Sequence, residues 1–143
     1  MVSHIFVVAL DDLNSAVLHR LPGASQLRFH PLLTLDFLTS NQHSIADMLA
    51  TAQQELDAFD EPIDAIVGFW DFLVSMMVPI LCERYGLRSA TLRSVVACEH
   101  KYWSRLKQQQ IISEIPAFGL LDVTSSAPRL PGDLDFPVWI KPV

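Results

Sequence analysis

Nearly unbroken apolar runs alternate with segments of helical repeat along the first two-thirds of the chain. His4 to Leu10 is apolar after its first residue and rich in β-branched side chains. That is the pattern of a strand covered on both faces. Asp11 and Asp12 end it. Leu13 to Arg20 reads as a short helix stopped by Pro22 and Gly23. Gln26 to Leu33 reads as a second strand, interrupted by Pro31. Ser44 is a good N-cap for a helix from Ile45 to about Phe59, where Ile45, Met48, Leu49, Ala52 and Leu56 fall at helical spacing. Ile63 to Gly68 is a third apolar strand. Asp71 to Tyr85 is apolar on almost every side, which predicts a buried helix bent near Pro79 and closed by Gly86. Leu87 to Leu92 is a short fourth strand candidate. Glu99 to about Ile112 has a helical pattern rich in Lys, Arg and Gln. A loop carrying Pro116, Pro128 and Pro131 follows, and the chain closes with the strand-like "DFPVWIKPV".

This alternation predicts an α/β chain: a three-layer, mainly parallel sheet with flanking helices, Rossmann-like in outline. Ligands of such sheets bind beyond the carboxyl ends of the strands. Neither G-x-G-x-x-G after the first strand nor G-x-x-x-x-G-K-[ST] occurs, so the two common glycine-based phosphate cradles are missing from the sequence.

Composition narrows the picture. Of the 143 residues, 50% are apolar, which gives a globular chain with enough length for one sizeable core. The formal net charge of −6 and the lack of a basic stripe argue against nucleic-acid and membrane-surface partners. Cys82 and Cys98 lack metal-ligand spacing and fit a reduced, cytoplasmic compartment. "MVSHIFVVAL" has no basic region or cleavage site and reads as a strand, not a leader. The run "FLVSMMVPILC" is too short to span a bilayer.

The last strand raises the question of its lysine. By alternation, Phe136, Val138 and Ile140 share one face, and Pro137, Trp139 and Lys141 the other. Lys141 is either an edge-strand charge that blunts aggregation or a cation held against a phosphate. The preceding helix places Lys101 and Arg105 one turn apart on one face.

Three motifs in order then resemble the ATP-grasp family. That family has a helix beginning "D-K-x-x-x-R", an exit "G-I-P-x-P" and a first ATP-grasp strand "F-P-x-x-x-K-P". This chain has His100-Lys101 with Arg105, then Glu114-Ile115-Pro116-Ala117-Phe118, then Phe136-Pro137-Val138-Trp139-Ile140-Lys141-Pro142. His100 stands where the family has an acid, and Ala117-Phe118 replaces the second proline. The resemblance implies a pre-ATP-grasp domain over residues 1–98 and the start of an ATP-grasp domain over 99–143. It implies that Lys141 contacts the ATP phosphates and the adenine edge, and that Lys101 is an earlier nucleotide contact. Arg105 is a further basic position whose alternative is a solvated helix face. ATP and magnesium would be the cofactors, and a small-molecule carboxylate the substrate, activated as an acyl phosphate and joined to an amine or other nucleophile. The family's glycine-rich loop, adenine-recognition strand and Glu and Asn magnesium ligands would follow Val143. The expectation is therefore an N-terminal part, inactive alone, with no catalytic residues and no metal ligands of its own. A homodimer is left open.

A phosphoacceptor receiver domain is the alternative. It would use Asp11 and Asp12, Asp71, Thr91 or Ser94, and Lys141 before Pro142, a set that could hold magnesium and a phosphoryl group. The helix and long loop between Thr91 and Lys141 argue against that spacing, and Asp71 could instead cap the next helix. A binding or scaffold module is a third class. Among the remaining candidates, His4, His19, His30, His43 and His100 lack ligand spacing and read as structural or solvated. Met48, Met76 and Met77 read as core. Ser75 lacks a G-x-S-x-G elbow. Gly68 to Asp71, "GFWD", either borders a ligand cleft or turns the chain, with the turn favoured.

Overall fold

The structure is a computed structural model that describes residues 2–71, 73–132 and 134–142. Phe72, within the predicted helix 71–85, and Val143, in the predicted closing strand, lie outside the described residues. The chain forms two compact units, Met1–Leu92 and Arg93–Val143.

The first unit is an α/β domain. Strand β1 (Ser3–Val8) is central, with β2 (Leu27–Leu32) on one side and β3 (Ala65–Gly68) on the other, all parallel. The parallel α/β fold expected from the alternating runs is present. Pro31 is compatible with β2 because β2 is an edge strand, where an absent N–H can face solvent. Helix α1 (Asp12–Leu18) links β1 to β2. Helices α2 (Leu35–Thr39) and α3 (Ile45–Asp57) link β2 to β3, and α4 (Val74–Arg84) follows. Helix α3 packs on β2, α4 packs on β3, and the two helices touch.

Local chemistry sets these boundaries. Ser44 and Asp47 form a reciprocal capping box that satisfies two orphan N–H groups of α3. Its expected apolar face is realised by Met48, Ala52 and Leu56, all buried, while Ile45 is exposed. At the end of α4, Gly86 takes a left-handed φ of 65°. Leu87 N–H then donates to the Cys82 carbonyl at 2.8 Å, and Gly86 N–H to that of Glu83 at 3.3 Å. This pairing satisfies the last carbonyls and requires a positive φ that glycine adopts without strain. Val7, Val8, Leu32, Leu56, Met77, Leu81 and Cys82 form the fully buried centre. Met48 and Met77 are in the core, as expected, and Met76 is half-buried.

Three expected elements differ. The strand predicted at Leu87–Leu92 does not form. Residues 88–91 (Arg-Ser-Ala-Thr) are exposed and irregular, and a helix α5 (Leu92–Glu99) begins where the strand should end. Those side chains offer little apolar area, and β3 presents a four-residue edge to pair with. The helix predicted from Glu99 to Ile112 is interrupted: α5 ends at Glu99 and α6 (Lys101–Gln108) starts anew after His100. The closing strand is absent from the described residues 134–142.

The second unit consists of α5, α6 and a long irregular stretch, and none of its described residues is buried. Its described residues form no buried core of the kind a compact domain needs. No helix among the described residues is long and apolar enough to cross a membrane.

Candidate functional site

Two places carry the chemistry read from the sequence. They are the carboxyl edge of the parallel sheet and the Lys101–Lys141 region of the second unit.

Because the strands run parallel, Val8, Leu32 and Gly68 end at one edge. Two of the three chain exits there are left-handed at non-glycine residues, Ala9 at φ 55° and Leu33 at φ 56°. Such backbone is costly for residues with a Cβ and is held in place by its surroundings. Ala9 N–H donates to the Leu32 carbonyl at 3.0 Å, and Ala9 O accepts from Trp70 Nε1 at 3.1 Å. Leu33 N–H donates to the Glu55 carboxylate at 3.2 Å. Trp70 thus ties the end of β3 to the end of β1. Gly68 has a separate duty: a Cβ there would collide with Cγ1 of Val74, so glycine lets α4 approach β3. "GFWD" therefore packs and ties this edge in addition to turning the chain.

The receiver-type residues fall in different elements. Asp11 is the N-cap of α1. Its carboxylate accepts Asn14 N–H at 2.8 Å and Asn14 Nδ2–H at 2.6 Å. The Asn14 backbone bond first, with its side-chain amide, holds the Asp11 carboxyl below its ordinary value. Asp12 lies in the first turn of α1 and Asp71 is exposed after β3. Thr91 is exposed on irregular chain just before α5. Ser94 sits in α5 and Lys141 in the irregular stretch, both in the other unit.

In the second unit, the sequence folds locally around His100. Its φ and ψ of −67° and 106° leave the helix, and its Nδ1 accepts Trp103 N–H at 3.4 Å. The imidazole also stacks on the Trp103 ring, with centroids 4.1 Å apart. The position where the resembling family has an acid is therefore an N-cap, which a histidine fills here. Lys101 becomes the first residue of α6 and is exposed. A cation at a helix N-terminus opposes the helix dipole, so this placement gains nothing from α6 itself. Arg105, one turn on and half-buried, donates to Gln108 Oε1 at 2.7 Å, and Gln108 Nε2–H donates to Ser104 Oγ at 3.4 Å. That network ties the guanidinium into its own helix. Lys141 is exposed on irregular chain, flanked by Trp139 at 95% and Phe136 at 80% exposure. The two-faced arrangement expected of that strand is not realised, because both Phe136 and Trp139 face solvent.

Among the described residues no group of three or more His, Cys, Asp or Glu side chains could hold a metal ion. Sequence reading missed the His100 cap, the two left-handed exits and a contact between His4 and His30 at 3.0 Å. The shared strand face of His4 and Phe6 was the one available signal for the last. Comparison of the chain with known protein families, curated proteins and solved structures finds no match.

Proposed function

We propose that this chain is the N-terminal part of a cytoplasmic ATP-grasp ligase, a carboxylate-activating enzyme in which Lys101 and Lys141 contact the nucleotide. The observation that carries this reading is the character of residues 93–142. They contain the three ordered motifs, yet bury no described side chain and leave Phe136, Trp139 and Ile140 in solvent. Apolar, strand-forming residues left in solvent would gain by pairing into a sheet that buries them. The parallel α/β unit ahead of them is the kind of domain that precedes an ATP-grasp module. The free thiols of Cys82 and Cys98 agree with a reducing compartment.

In this reading the two ammonium groups neutralise phosphate charge, and a strand formed by residues 136–141 would hold Lys141 rigid. Magnesium would stabilise charge on the phosphoryl group in transit. The described residues offer no group of three or more His, Cys, Asp or Glu side chains to hold it.

Calorimetric titration with ATP tests the proposal. An exposed lysine–phosphate contact contributes about 1 kcal/mol or less. Millimolar affinity already needs about 4 kcal/mol. The 143-residue chain should therefore bind ATP more weakly than millimolar. The same chain continued through its reading frame should bind it, and Lys141→Ala should weaken that binding roughly ten- to hundred-fold. Micromolar binding by the shorter chain, or an unchanged affinity in the longer variant, would refute the role of Lys141.

A further inference from the structure

The amino half of the sheet holds a second cluster, remote in sequence from the nucleotide motifs. His4 on β1 is buried at 8% exposure. Its Nδ1 lies 3.0 Å from His30 Nε2 on β2, and its Nε2 lies 3.2 Å from Glu61 Oε2. The parallel register pairs Phe6 with His30, which makes His4 and His30 diagonal neighbours on one face. Phe59, just beyond α3, closes over them, with ring centroids 5.2 Å from His4, 4.9 Å from His30 and 5.1 Å from Phe6. His4 and Asp64 bond reciprocally: His4 N–H donates to Asp64 Oδ2 at 2.7 Å, and Asp64 N–H to the His4 carbonyl at 3.0 Å.

We propose that the His4–His30 contact is a one-proton clasp that holds the Phe59–Asp64 connection onto the sheet and opens when a second proton arrives. A 3.0 Å contact between two ring nitrogens has room for one hydrogen. In the neutral pair, His30 Nε2–H donates to His4 Nδ1, and His4 Nε2–H donates to Glu61. One added proton fits: the pair then carries one positive charge with a single hydrogen still between the two ring nitrogens. A second proton sets N–H against N–H, and the contact must break. Every charged group facing the pair bears on this balance. Arg28 on β2 adds positive charge, while Glu61 and Asp64 from the connection add negative charge.

Burial first, then the charges of His4 and Arg28, hold the His30 imidazole below its ordinary 6.5, with Glu61 opposing. A depressed folded value means that this contribution to stability is complete above pH 6.5 and is lost as pH falls through the folded pKa. The aromatic packing of Phe59 and the Glu61 contact are what the opening releases, so the effect is local to residues 59–64.

Histidine ¹⁵N spectra and amide hydrogen exchange across a pH series, on the intact 143-residue chain, test the clasp. His30 should titrate below 6.5. Exchange at the Glu61, Ile63 and Asp64 amides, corrected for intrinsic rate, should rise about tenfold or more between about pH 7.5 and 5. It should stay flat in His30→Gln, whose amide keeps a donor near Nε2 and does not titrate. His30→Phe keeps a ring between Phe6 and Phe59 and should also be flat, which covers a failure of the glutamine variant to fold. The same acid-driven rise in either folded variant, or a His30 midpoint at or above 6.5, would overturn the proposal.

Discussion

The Tyr85 phenol donates to Asp57 Oδ1 at 2.6 Å and lies 3.2 Å from the Gln53 carbonyl, tying the end of α4 to the end of α3. Burial, then the hydrogen bond to Asp57 and its charge, push the Tyr85 hydroxyl up from 10.0 to about 12. The folded value is raised, so the contribution is complete below pH 10 and is lost as pH climbs through about 12. Tyr85→Phe should lower unfolding free energy by about 1 kcal/mol, constant between about pH 7 and 9, as read by urea denaturation. A neutral substitution would show that the bond contributes nothing beyond its water-bonded alternative.

Gly68→Ala tests the close approach of α4 to β3. The new methyl meets a buried, β-branched Val74 that has little rotamer freedom to yield. A loss of about 1–3 kcal/mol is expected on thermal or urea unfolding. Adding Val74→Ala to make room should recover part of it, because the two positions share one contact.

Ser75 presents the opposite case. Its Oγ is buried and finds no hydrogen-bond partner among the described residues, on a helix whose Pro79 already removes one N–H. Ser75→Ala should therefore stabilise the protein, by about 0.5–1 kcal/mol, as an unsatisfied hydroxyl is removed. Destabilisation in urea melts would mean that the hydroxyl has a bonding role in solution.

Incubation with acetyl phosphate and magnesium should leave Asp71 unlabelled. Asp11 is engaged as the cap of α1, and Thr91 lies on irregular chain where a receiver would have the end of a fourth strand. Stoichiometric acid-labile phosphate on Asp71, detected by mass spectrometry, would favour a receiver over a ligase fragment.

The sequence by itself determined the elements whose causes are local. Ser44 and Asp47 lie three residues apart, so the capping box and the start of α3 follow from the chain alone. Gly86 ends α4 for the same reason, and the apolar runs of β1 and β3 are long enough to mark a covered parallel sheet. Lys101, Arg105 and Lys141 were legible as motif positions, because spacing is a one-dimensional property.

Tertiary structure decided what depends on partners. Leu87–Leu92 and Phe136–Lys141 were expected as strands, but a strand forms only where a neighbour accepts its N–H and C=O groups. Neither segment pairs among the described residues. His100 reads as an unremarkable polar residue until the chain turns there and its ring caps α6. The His4–His30 contact spans 26 residues and exists because β1 and β2 pair with Phe6 opposite His30. A register shift of one residue would turn His30 to the other face of the sheet. Periodicity along one strand places a side chain on a face, and the pairing register between two strands decides which side chains meet there.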